Sequence, residues 1–411
     1  MHDKSLCGTL VGLLVLGTLM IVQPARDSAA AAGDWEAVLK SARGQTVDWF
    51  MWGGDPSVNA FVNGYAAPRV KELYGITLRQ GPVQDIAEVV GKLVIEKQAG
   101  KSAGGGVDLM WINGENFRTC KKNGLLWGPF VQRLPHNVLV DWSRPAVHND
   151  FGEPVEGLES PWGSAQVVMI YDTARTPHPP TTMETFLDWV RRHPGRFTYP
   201  APPDFTGSVF VRHVFYHVAG DVGRWQGPLN EPAFEMAAAE TYRLLRELAP
   251  FLWRQAQTYP ESPVRLNQLF ADGEIDFSFS YHPADASRQI LHGLFPDTAR
   301  TFVFDEGTIA NTHFLAIPFN AADTAGAMVV ANFLLSPEAQ LKKADPAVWG
   351  DFPVIDPARL DPDWRAKFDQ LPRGPATLTD ADLQSRQLPE PPSEILMRLE
   401  QGWQTQVLKG R

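Results

Sequence analysis

The chain has 411 residues, of which 44% are hydrophobic and 20% charged, a balance that describes an ordinary globular protein long enough for two domains. Its 47 acidic side chains outnumber 37 basic ones, giving a net charge of −10. That excludes a nucleic-acid binder, which needs a basic face to displace counterions from phosphates.

In chain order, residues 1–32 read as a secretory signal peptide. Basic His2 and Lys4 precede an apolar run from Leu10 to Val22, and Ser28 to Ala32 supply small residues for cleavage. The run is too short for a bilayer-spanning helix of roughly 20 residues, so the expectation is a cleaved, soluble, periplasmic protein. Cys7 lies before the apolar run, the wrong side for a lipid-modified N-terminus. Removing the leader leaves Cys120 as the sole cysteine, so no internal disulfide can form.

A strand is predicted at Thr46 to Trp52, ended by Gly53-Gly54-Asp55-Pro56-Ser57. A helix follows with Val58, Phe61, Val62 and Tyr65 at helical spacing, capped by Asp55 or Ser57 and kinked or ended at Pro68. Next come a strand at Ile76 to Arg79, a helix opened by Asp85 with the stripe Ile86, Val89, Val90, Leu93 and Val94, and a strand at Val107 to Ile112 with Asn113-Gly114-Glu115-Asn116 at its carboxyl end. This alternation predicts an open parallel sheet in an α/β fold.

A proline-rich stretch from Leu134 to Pro161 interrupts the rhythm, which resumes with a strand at Trp162 to Tyr171, a helix over 183–192 and a strand at Phe197 to Tyr199. Thr206-Gly207-Ser208 then open a helix with Phe210, Val211, Val214, Phe215 and Val218 on one side. Helices are predicted at 233–248 and 264–270. Strict alternation from Ile275 to Tyr281 predicts a strand with one buried face. Strands at 301–304 and 313–317, a helix over 325–335 and an amphipathic helix over 393–408 complete the chain.

Several catalytic signals fail. Gly100-Lys101-Ser102 lacks the first glycine of a phosphate loop, and Trp162-Gly163-Ser164-Ala165-Gln166 lacks the second glycine of a nucleophile elbow. His213 and His217 sit four apart on a predicted helix, but without the glutamate of a zinc-protease motif they read as packing residues. No metal site, cofactor or catalytic residue is predicted. What remains is a pattern of places, because open parallel sheets form ligand crevices at strand carboxyl ends. Trp52-Gly53-Gly54, Asn113-Gly114 and Trp162-Gly163 combine indole area or an amide with glycines that let backbone N–H groups approach a ligand. Thr206-Gly207-Ser208 at a helix start and Tyr281 at a strand end supply the opposing wall.

The stretches Asp48 to Gly54, Val107 to Phe117, Pro161 to Gln166, Phe270 to Ile275 and His313 to Pro318 resemble the type II periplasmic solute-binding proteins of ABC importers, in the iron, thiamine and spermidine cluster. Within it the chain is closest to an uncharacterised proteobacterial family encoded beside ABC permease and ATPase genes. The resemblance implies a two-lobed fold, each lobe a mixed, mostly parallel sheet flanked by helices. It divides the chain into residues 33–165 with 283–317 in the first lobe and 166–282 with 318–411 in the second, with hinges near 164–168, 281–285 and 316–319. It further implies a monomer that closes on a small polar molecule, whether thiamine-like, a polyamine or a sugar, and delivers it to a membrane permease. The adjacent tyrosine pair of iron-binding members is missing, since His282 follows Tyr281. The competing expectation is a secreted hydrolase cutting glycans through a carboxylate pair.

Overall fold

The computed structural model describes residues 25–410, so most of the leader lies outside the described residues. Nine strands build two sheets: β1 (Thr46–Trp52), β2 (Thr77–Val83), β3 (Leu109–Ile112), β4 (Glu159–Gln166), β5 (Val168–Asp172), β6 (Phe277–Ser280), β7 (Ala299–Phe302), β8 (Thr308–Ala316) and β9 (Gln387–Pro389). The first sheet runs β9-β8-β3-β1-β2, with β4 also paired to β8. β1 is parallel to β2 and β3, as the strand and helix rhythm predicts, whereas β8 runs antiparallel to both β3 and β4. The second sheet, β6-β5-β7, is wholly antiparallel, so the parallel expectation holds for the first lobe alone. β5 follows β4 after a single residue, Val167, so the chain steps directly from the first sheet into the second.

Each sheet has its own core. Val47, Trp49, Leu109, Trp162, Leu315, Val329, Val330 and Trp349 pack together in the first lobe; Ile170, Phe186, Phe210, Phe277, Phe302 and Trp403 do so in the second. The opposite face of the first sheet is closed by Val90, Leu93, Met110, Ile112, Phe117 and Cys120.

These cores divide the chain differently from the sequence-based boundaries. Ala286, Phe295, Ala299 and Phe302, expected in the first lobe, belong to the second core, and the helix Thr324–Leu334 with Trp349 and Leu360, expected in the second, belongs to the first. The reason is β8, which carries Ile309 into the second core and Leu315 into the first. The chain therefore passes into the first lobe along β8 and returns near Ala376, which joins the second core ahead of Ile395, Leu399 and Trp403.

Three local expectations change as well. Phe197 to Tyr199 is buried but forms no strand. β6 is buried on both faces rather than one. Pro68 does not end its helix: a wide turn over Val62–Ala66 links Pro56–Phe61 to Ala67–Tyr74, and the missing proline N–H is absorbed there.

Candidate binding cleft between the lobes

The carboxyl ends of β1, β2 and β3 point their loops toward the second lobe. After β1, Asp55 caps the next helix by accepting from the Ser57 N–H at 2.7 Å. The same carboxylate meets Arg288 of the second lobe, whose Nη1 lies 2.9 Å from Oδ1, while Arg288 Nη2 lies 2.6 Å from Asp285 Oδ1. After β3, Gly114 adopts φ 64°, which favours glycine, and its N–H donates to Asp150 Oδ2 at 2.7 Å. Asp150 starts a tight hairpin in which Phe151 and Gly152 both have positive φ, 45° and 78°. This turn presents Phe151 to the second lobe, with its ring 6.1 Å from Phe205 and the Arg212 guanidinium 5.5 Å above it.

The facing wall starts where Asp204 caps the helix Phe205–Ala219 through the Gly207 N–H at 2.8 Å. Gly207 is required: a side chain would collide with the Pro200 carbonyl. One turn on, fully buried Arg212 pairs with Glu390, which also accepts from Tyr281 Oη at 2.7 Å and from Asn311 Nδ2 at 3.0 Å. A buried arginine is tolerable only with such pairing. Ser393 N–H closes the wall by donating to the Phe151 carbonyl at 3.1 Å.

Acid exceeds base in this cleft. Glu115, at the start of its helix in the first lobe, is held above the usual carboxylate range by burial, with Arg212 opposing and Asp85 and Glu390 reinforcing the shift. Glu400 of the second lobe is pushed up to about 7 by burial, although it accepts from Ser208 and feels Arg212. Burial also raises Asp150 and Asp204. Neither Glu115 nor Glu400 has an ion-pair partner among the described residues.

The residues singled out from sequence fall into two groups. Trp52 is half-buried, with its indole against Gly54; Gly53 donates its N–H to the Val83 carbonyl at 3.1 Å; and Gly54 is exposed. Asn113, Gly114, Thr206, Gly207, Ser208 and Tyr281 flank the boundary between lobes, Tyr281 with its ring 5.0 Å from Phe205. Trp162 and Gly163 are elsewhere. Trp162 is fully buried, its ring 5.2 Å from Trp49, 5.0 Å from Trp111 and 5.3 Å from Trp349, and Gly163 packs against Asp351, His313 and Lys343. Trp162 holds the first core instead of lining the cleft. His213 is likewise a packing residue, with Nδ1 at the Val209 carbonyl and Nε2 accepting from the Ile309 N–H, while His217 is exposed.

Sequence reasoning missed Arg212, Arg288, Glu390 and Glu400. Asp55 and Glu115 stand next to quoted glycines and were within its reach. Glu390 and Glu400 lie more than two hundred residues from the strand ends they face and carry no local signal.

Two lobes around separate cores, a first sheet whose strand ends open on the second lobe, and chain crossings at β4–β5 and β8 define a type II two-lobed binding protein. The bacterial extracellular solute-binding protein family matches residues 65–370, and the chain belongs to that family. It is 40% identical over 397 residues to Protein YnjB of Escherichia coli (strain K12), covering 97% of both chains. In fold it is similar to the spermidine/putrescine ABC transporter substrate-binding protein PotD of Streptococcus pneumoniae, with a TM-score of 0.56, 13% identity and coverage of 87% of this chain and 99% of the other. A periplasmic thiamin binding protein is similar too, with a TM-score of 0.57, 17% identity and coverage of 88% and 96%. The chain is thus a solute-binding component with the fold of ABC importer binding proteins, and the hydrolase alternative finds no support.

Proposed function

We propose that this protein captures a small, positively charged organic solute between its lobes and hands it, as a periplasmic monomer without turnover, to an ABC permease. The observation that carries this reading is the pair Glu115 and Glu400, one from each lobe, both driven up by burial and neither matched by a bonded base. A ligand cation placed there would relieve the burial penalty of both carboxylates only when the lobes are closed, which is the differential affinity that hinge closure needs. Phe151, Phe205 and Trp52 add aromatic area suited to a cation or flat heterocycle. Supporting this choice, one structural relative is named for thiamin and another for spermidine and putrescine.

Export is supported by the leader pattern and the family's extracellular character. Among the described residues, no helix is long and apolar enough to cross a membrane. The test is calorimetric titration of the mature chain with thiamin, putrescine, spermidine, a neutral sugar and a sugar phosphate. Saturable binding of one of the cations, weakened at least tenfold by Glu115→Gln or Glu400→Gln, is expected. Binding of the sugar phosphate alone would overturn the proposal.

A further inference from the structure

We infer that His282, His313 and Asp351 form a binding site for one divalent transition-metal ion of the zinc type, at the boundary between the lobes. His282 follows β6 of the second lobe, His313 sits on β8, and Asp351 comes from the loop after the helix Pro337–Ala344 in the first lobe. One ligating atom from each lies within 4.8 Å of the other two. Asp351 Oδ1 is 2.9 Å from His313 Nε2 and 3.3 Å from His282 Nδ1. A tetrahedral zinc ion with bonds of about 2.0–2.2 Å sets neighbouring ligand atoms roughly 3.3–3.5 Å apart, so these two edges are already near the required length. The third closes by rotation of the His282 ring, the most accessible of the three groups.

Two features point to a ligand rather than to packing. His282 Nδ1 is buried and makes no hydrogen bond of good geometry, although Asp351 Oδ1 lies 3.3 Å away. A buried imidazole nitrogen left in this state is rare in a finished core. The second is the way Asp351 is held: Lys343 bonds Oδ2 and its carbonyl accepts from the Asp351 N–H at 3.1 Å, leaving Oδ1 to the imidazoles. That is the outer layer of support that orients a ligating carboxylate. Trp111 and Trp349 wall the His313 ring, and a side chain at Gly163 would collide with Asp351, His313 and Lys343, so the glycine is needed for this packing.

Two imidazoles and one carboxylate, without thiolate, suit zinc, copper, nickel or cobalt rather than calcium or magnesium. Three protein ligands leave a fourth position for water or for a group of the bound solute. The ion would bridge the lobes, and its binding does not depend on the charge of the organic ligand.

Chelator-treated, tag-free mature protein is titrated with zinc chloride by calorimetry, and cobalt(II) is added separately to read the ligand-field bands of a four-coordinate ion. One zinc per chain and a four-coordinate cobalt spectrum are expected, with affinity reduced at least tenfold in His282→Ala and in His313→Ala. His282→Ala changes a partly accessible side chain and decides the matter should the buried His313 variant not fold. The inference falls with a wild-type chain that takes up no stoichiometric zinc, or with uptake that His282→Ala leaves unchanged.

Discussion

Arg288 of the second lobe reaches across the boundary to Asp55 of the first, with Nη1 2.9 Å from Oδ1, while its other terminal nitrogen holds Asp285. Both Arg288 and Asp55 are buried, so the pair is little screened by salt. Asp55→Asn keeps a side-chain oxygen for the helix cap but removes the charge that attracts Arg288. It should raise the radius of gyration of the unliganded protein in small-angle scattering and shift its melting temperature only slightly. An unchanged radius would show that the pair does not hold the lobes together.

Trp52 and Trp162 should behave oppositely. Trp162→Ala empties a fully buried site among Trp49, Trp111 and Trp349 and should cost about 3–5 kcal/mol in urea unfolding, with normal ligand affinity in the protein that remains folded. Trp52→Ala removes a half-buried ring and should leave stability nearly intact while weakening binding by about 1–3 kcal/mol, read by calorimetry.

The elevated Glu400 predicts a pH dependence. Below the unfolded value of about 4.3, both folded and unfolded chains carry the proton and the residue contributes nothing. As pH rises toward about 7, the unfolded chain ionises first, so stability falls across that window and the loss is complete above it. The shift corresponds to about 4 kcal/mol at most. Glu400→Gln should flatten the decline between pH 5 and 7 in urea midpoints, and a bound cation should do the same in the wild type.

Gly207→Ala places a methyl group against the Pro200 carbonyl, forcing the first turn of the helix Phe205–Ala219 to shift. A loss of about 1–3 kcal/mol of stability is expected, along with weaker ligand binding, because Ser208 and Phe205 ride on that turn. Wild-type melting temperature and affinity would contradict the assignment of this turn to the cleft.

Much of the fold was legible because periodicity and strand ends are local signals. β1 to β3 and the helices between them follow from alternation, helical stripes and glycine punctuation, and those same glycines lie at the lobe boundary, beside Trp52 and at Gly114. The lobe boundaries were less legible, since nothing in the sequence from Thr308 to Ala316 says that one strand serves two cores. Trp162 misled for a related reason: an indole beside a glycine at a strand looks the same whether it faces a cleft or a core. Arg212 with Glu390 and Arg288 with Asp55 are pairings across more than a hundred residues, visible only once the chain is folded.

The ladder between β4 and β8 runs from Ala310 opposite Gln166 to Ala316 opposite Glu159, straight through the place where the two bodies join. A joint made of paired strands twists but does not go slack, so if the proposed closure occurs it should follow one well-defined swing. It also ties the melting of one half to that of the other, because neither core can come apart without tearing hydrogen bonds that belong to both. Heating should therefore give a single calorimetric peak whose enthalpy corresponds to the whole described chain, and the most slowly exchanging amides should lie in the joint itself.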